Sequence, residues 1–135
     1  MTDKRPQLLQ TVLDTTDVRR LAEFYRELLG FVYRPGSEQE EPGEDWLVLR
    51  APDGPQQLAF QQVDELAETT WPDAQVPQQM HLDLMVDSAA ELEAQHERVL
   101  ALGGRLRFDR FDDPEEPLRV YADPAGHPFC IFVAA

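Results

Sequence analysis

His81 and Asp83 lie two residues apart in the run His81-Leu82-Asp83-Leu84-Met85, where apolar and polar residues alternate. A strand there presents the imidazole and the carboxylate on one face. An enclosed histidine titrates near neutral pH, which suits His81 to general-base work, although a hydrogen-bonded strand histidine needs no such role. Cys130 is the single cysteine. It reads as a small buried hydrophobe rather than a nucleophile, because the nearest histidine, His127, lies three residues back in the same predicted strand and turns to the opposite face. Trp46 and Trp71 offer flat surfaces on which a ligand can stack, though packing in core or loop is their commoner fate.

The elements that must position these residues are written twice. Gln10-Thr11-Val12-Leu13-Asp14, running into a helix-like stretch, recurs as His81-Leu82-Asp83-Leu84-Met85 running into another, and both Gln10 to His81 and Leu21 to Leu92 are spaced by 71 residues. Repetition on this scale decides architecture. The first copy reads as a strand over residues 8–14, a helix from 18 to 29 with Asp17 as N-cap and Gly30 as stop, and strands over 31–34, 46–51 and 57–63. A proline-bearing polar crossover, 64–79, leads to strand 80–86, helix 89–102 stopped by Gly103-Gly104, and strands 105–111, 118–122 and 128–133. The glutamate-rich stretch 35–44 and the matching stretch 112–117 read as mobile acidic loops. The pattern is α+β: two tandem βαβββ modules, about 7–63 and 80–135, with mostly antiparallel neighbouring strands, in one domain over 1–135.

Alternation sends Leu13, Leu58, Phe60, Leu82, Leu84, Phe129 and Ile131 towards the helices. It leaves Gln10, Asp14, Gln61, His81, Asp83, Cys130 and Phe132 on the enclosed side. The composition bounds what that enclosure meets. With 135 residues the chain suffices for one ordinary domain, and 26 acidic against 12 basic residues give a net charge of −14. Such a charge argues against nucleic acid and anionic membranes and favours neutral or cationic small molecules, although solubility alone accounts for many acidic surfaces. No apolar run approaches a membrane span and no signal-like stretch opens the sequence, so a cytoplasmic protein is expected.

The helix string Asp17-Val18-Arg19-Arg20-Leu21-Ala22-Glu23-Phe24-Tyr25-Arg26-Glu27-Leu28-Leu29-Gly30-Phe31, the string His81 to Asp87, and Ala122-Asp123-Pro124-Ala125-Gly126-His127-Pro128-Phe129-Cys130 together resemble the vicinal oxygen chelate superfamily. Within it they are similar to the glyoxalase-like, bleomycin-resistance-like and dioxygenase-like single-domain proteins, and the likeness covers nearly the whole chain. The resemblance implies that the two modules form one curved, mostly antiparallel eight-stranded incomplete barrel around a cavity, and it implies a homodimer. It also implies, in active members, a divalent metal held from the first, fifth and last strands, and in glyoxalases also from the fourth, at positions matching Gln10, His81, Cys130 and Ala59. Here Ala59 has no donor atom and Cys130 stands where a carboxylate is usual, so a hard cation lacks its oxygen ligands, and Asp83 is the nearby carboxylate able to substitute.

Two functions from different classes follow. One is a binding module without a standard metal or other cofactor, its cavity lined by Gln10, Trp46, Arg50, Gln61, His81, Asp83, Cys130 and Phe132. The alternative is a metal-dependent lyase, isomerase or dioxygenase in which an ion at Gln10, His81 and Cys130 or Asp83 polarises vicinal oxygens of a small substrate. His81 is the candidate catalytic residue, including as a metal-independent base.

Overall fold

A computed structural model describes residues 3–134. The elements follow in the order β1 (Thr11–Thr15), α1 (Val18–Leu29), β2 (Val32–Tyr33), β3 (Trp46–Arg50), β4 (Gln57–Gln62), β5 (Leu82–Val86), α2 (Ala89–Ala101), β6 (Arg105–Arg110), β7 (Leu118–Ala122) and β8 (Pro128–Val133). The repeat is visible in their bounds: β5 starts 71 residues after β1, α2 starts 71 after α1, and β8 starts 71 after β4. The fold is α+β in two βαβββ modules, with no closed barrel.

Local chemistry sets the helix ends. The Asp17 side chain accepts from the Arg20 amide at 3.2 Å and so caps one of the free N–H groups that open α1, and Gly30 closes the helix in the left-handed region at φ 71°. Ser88 plays the Asp17 role for α2, accepting from the Glu91 amide. In α1, Val18, Leu21, Ala22, Phe24 and Tyr25 recur at helical spacing and are buried.

Each module builds one four-stranded mixed sheet, in the orders β1-β4-β3-β2 and β5-β8-β7-β6. The first strand runs parallel to the last (Leu13 opposite Phe60, Leu84 opposite Ile131), and the other pairs are antiparallel. The eight strands thus divide into two ladders, with β1 and β5 at facing edges that share lining of the same cavities. The first strand starts later than its sequence pattern predicts. Thr11 pairs with Leu58, one residue inside β4, so residues 8–10 have almost no partner strand, and Leu8 is 94 % exposed.

Alternation places the core as expected. Leu13, Leu58, Phe60, Leu82, Leu84, Phe129 and Ile131 all join the cluster beneath the helices. Aromatic rings bridge the modules: Tyr25 stacks on Phe60 at 6.0 Å and meets Phe129 edge-on at 6.2 Å, while Phe24 meets Phe129 at 5.9 Å. Fully burying a ring such as Phe129 contributes about 2–3 kcal/mol. A polar latch lies among them. The Tyr25 hydroxyl donates to Asp123 Oδ2 at 2.7 Å, and Asp123 Oδ1 accepts the Ala125 and His127 amides, closing the turn before β8. Gly126 in that turn has φ 96°, and a Cβ there would come within 2.8 Å of Glu68 Cα, so only glycine lets the crossover pass this close.

The stretch 35–44 is anchored, contrary to the mobile loop expected from its composition. The Arg19 guanidinium donates to the carbonyls of Ser37 and Gln39, clasps the Glu44 carboxylate at 2.6–2.9 Å, and lies 4.9 Å from the Tyr33 ring centroid. One arginine on the helix supplies the anchor that the loop's own residues lack.

Candidate functional site

The pleat carries His81 and Asp83 to one face at the edge of the second sheet, and register sets Cys130 of β8 directly opposite Asp83. Ligand atoms of His81, Asp83 and Cys130 all lie within 4.8 Å of one another. His81 Nε2 is 3.2 Å from Asp83 Oδ1, and its Nδ1 is 3.4 Å from Gln78 Oε1. The Trp71 ring stacks on the imidazole at 4.7 Å between centroids and 20° between planes. The crossover thereby clamps the histidine in place, and Trp71 is joined to Pro72 by a cis peptide bond.

Burial, and then the charge of Asp83, push the Cys130 thiol up to about 11, so it stays protonated at neutral pH and is a poor nucleophile. Burial likewise raises the Tyr25 phenol well above its usual value, and it raises Asp123 against the opposing effect of the Tyr25 hydrogen bond.

A cavity of about 520 Å³ opens between the modules, along the edge of β1 and beneath the crossover. Leu13, Leu66, Val76, Met80 and Leu82 form its apolar wall, and Asp14, Gln61, Gln78, His81 and His127 its polar groups. A second cavity of about 370 Å³ holds Gln10 and Asp83. Of the residues expected to share one cavity, His81 and Gln61 line the larger space, and Gln10 and Asp83 line the smaller. Trp46, Arg50, Cys130 and Phe132 line neither. Trp46 and Arg50 lie at the two ends of β3, opposite Gln61 and Gln57, and Ala59 is buried between them in register with Val48. Phe132 pairs with Met85 and Leu118.

Sequence reasoning missed the crossover wall and His127. Leu66, Ala67, Val76 and Pro77 were the available signal, since they interrupt an otherwise polar segment. His127 belongs to the turn rather than to β8, and its Nε2 donates to the Asp14 carbonyl at 2.6 Å, a second latch between modules. His96 is paired through Nδ1 with the Tyr121 hydroxyl at 2.8 Å.

Comparison with known proteins agrees with this architecture. Residues 10–132 match the family profile described as a glyoxalase-like domain. The chain belongs to that family, within the vicinal oxygen chelate superfamily of glyoxalases, bleomycin resistance proteins and dioxygenases. Similar solved structures include a fosfomycin resistance protein FosX from Listeria monocytogenes complexed with Mn(II) and a dihydroxypropylphosphonic acid (TM-score 0.71, 16 % identity, covering 98 % of this chain and 95 % of that one). FosX from Mesorhizobium loti aligns with TM-score 0.69 at 18 % identity over 98 % of this chain and 95 % of that one. Lactoylglutathione lyase from Agrobacterium tumefaciens aligns with TM-score 0.61 at 21 % identity, over 97 % and 96 %. Among curated proteins, none matches the sequence.

The donor chemistry does not suit a hard cation. Asp83 offers the one carboxylate of the cluster, Ala59 offers nothing, and a buried thiol occupies the remaining corner. By donor type the cluster fits a borderline ion such as zinc, for which His81 nitrogen, Asp83 oxygen and Cys130 sulfur are all accepted ligands.

Proposed function

We propose that this protein binds a small, largely apolar organic molecule in the cavity between its modules, against His81, without a hard-metal centre. The observation that carries this is the cavity itself. Its volume of about 520 Å³ falls in the range of ligand pockets, and its wall is mostly aliphatic with a few convergent polar groups. The FosX structure from Listeria is a complex with Mn(II) and a phosphonic acid, and Mn(II) is a metal for which the donors here are ill matched.

The convergence of His81, Asp83 and Cys130 favours a second function, a metal-dependent lyase or dioxygenase. Those three side chains, with Gln10 from the other module, would hold a zinc-like ion, whose chemistry is to polarise vicinal oxygens of a substrate. We further propose a cytoplasmic homodimer. Met85 is 71 % exposed and Phe108 44 % exposed on the second sheet, and Val12 and Trp46 are exposed on the first. A second copy would cover these faces.

Native mass spectrometry of protein purified without chelator tests all three. The expected result is a dimer carrying an organic mass and no stoichiometric metal. One metal per chain, lost in His81→Ala, overturns the binding function in favour of the enzyme.

A further inference from the structure

Asp14 supplies the only formal charge in the lining of the inter-module cavity; among the described residues, none of the chain's lysines or arginines reaches it. We propose that this cavity selects an organic cation, an ammonium group on an apolar body, with the Asp14 carboxylate as counter-ion. The proposal rests on the binding function above and names its ligand class.

Three observations carry it. First, Asp14 is a partly exposed residue of the cavity lining, and among the described residues no hydrogen bond or ion pair engages its carboxylate. Its backbone carbonyl, by contrast, is engaged by His127. A carboxylate at a cavity wall without an internal partner can take one from a ligand. Second, the two histidines of the lining are already engaged. His127 Nε2 donates to the Asp14 carbonyl, and both nitrogens of His81 face acceptors, Asp83 Oδ1 and Gln78 Oε1. Third, the remaining polar lining is neutral. Gln61, the register partner of Asp14 across the parallel β1–β4 pair, presents an amide oxygen that accepts from an ammonium as readily as its nitrogen donates. The net charge of −14 adds a long-range field of the same sign, which draws cations towards the cavity and repels phosphonates and carboxylates.

The test uses four probes of matched shape, phenethylamine, phenethyl alcohol, hydrocinnamate and phenethylphosphonate, titrated into isotopically labelled protein and followed by amide chemical shifts. Phenethylamine is expected to shift the amides of Asp14, Gln61 and His81 and to bind at least about tenfold more tightly than the alcohol, with the two anions not binding. In Asp14→Asn the amine should lose that advantage while the alcohol is unchanged, and in Gln61→Glu, which adds a second carboxylate beside the first, the amine should bind more tightly than in the wild type. Alcohol binding as tight as amine, binding of either anion, or an amine preference that survives Asp14→Asn overturns the cation proposal and leaves the binding function standing. If no probe of any charge shifts the cavity amides at millimolar concentration, the binding function itself falls and the cation proposal with it.

Discussion

Tyr25→Phe isolates the buried latch between the modules. The phenylalanine ring keeps the stacking on Phe60 and the edge contacts with Phe24 and Phe129, so the one group lost is the hydroxyl that donates to Asp123 Oδ2 at 2.7 Å. Asp123 is wholly buried, and its Oδ1 keeps the Ala125 and His127 amides. The variant therefore strands one oxygen of a buried carboxylate away from water. A hydrogen bond to a charged group contributes about 1.5–3 kcal/mol, and an orphaned partner places the cost towards the upper end. For a chain of this size that lowers Tm by about 5–15 °C.

The pH dependence gives a sharper check. Burial raises the Asp123 pKa in the folded state, and the Tyr25 hydrogen bond opposes that rise. Tyr25→Phe removes the opposition, so the folded pKa climbs further above the unfolded value. The folded variant then holds its proton more tightly than the folded wild type. Its added instability is fully present above the folded pKa and shrinks as pH falls through that pKa towards the ordinary aspartate range. Glu23 and Glu44 run the other way, since Arg26 and Arg19 hold them low and their contribution is lost on acidification, but they are common to both proteins and cancel in the difference. Urea unfolding of the two proteins from neutral pH down to about pH 4 measures that difference. A cost below about 0.5 kcal/mol at neutral pH, or one that grows on acidification, refutes the role given to the latch.

Three further outcomes are expected. Arg19→Ala should release residues 35–44, raising amide hydrogen exchange there at least about tenfold while leaving the β8 amides protected, and deleting residues 37–41 should lower Tm rather than leave it unchanged. Wild-type protein should bind manganese, iron or nickel weakly or not at all. In contrast, Cys130→Glu, which sets a second carboxylate against Asp83, should bind them at least about tenfold more tightly by calorimetry and be stabilised by them, with Gln10→His added giving a further gain. Finally, light scattering should report a dimer at micromolar concentration, and Met85→Glu should shift it to monomer without changing the circular dichroism.

Much of the fold was legible because alternation and helical spacing are local. The helix ends at Asp17 and Gly30, the repeat of 71 residues, and the inward side of each central strand all follow from neighbours in sequence. The pairing of His81 with Asp83 was legible for the same reason. What was not legible depends on how the modules and the crossover meet. Nothing near Asp14 in sequence shows that His127 will bind its carbonyl, and Arg19 gives no sign that it will tie down a loop beginning sixteen residues later. The site residues were expected to share one cavity because they share sheet faces. The facing edges of β1 and β5 instead divide them between two spaces, since a face says which side a residue takes and not how far apart two sheets stand.

Because β1 pairs with β4 and β5 with β8, neither sheet can zip up from its beginning as the chain is made; each waits for its last strand. The first module completes its ladder at Gln62, with more than half of the polypeptide still to be synthesised. A first module on its own has no acceptor for the Tyr25 hydroxyl, since Asp123 lies 98 residues on. Phe24 likewise has no Phe129 to cover its outer edge. A nascent chain that ends between the two modules therefore lacks the groups that close this aromatic seam. Such a nascent intermediate is the form most exposed to chaperones and to aggregation.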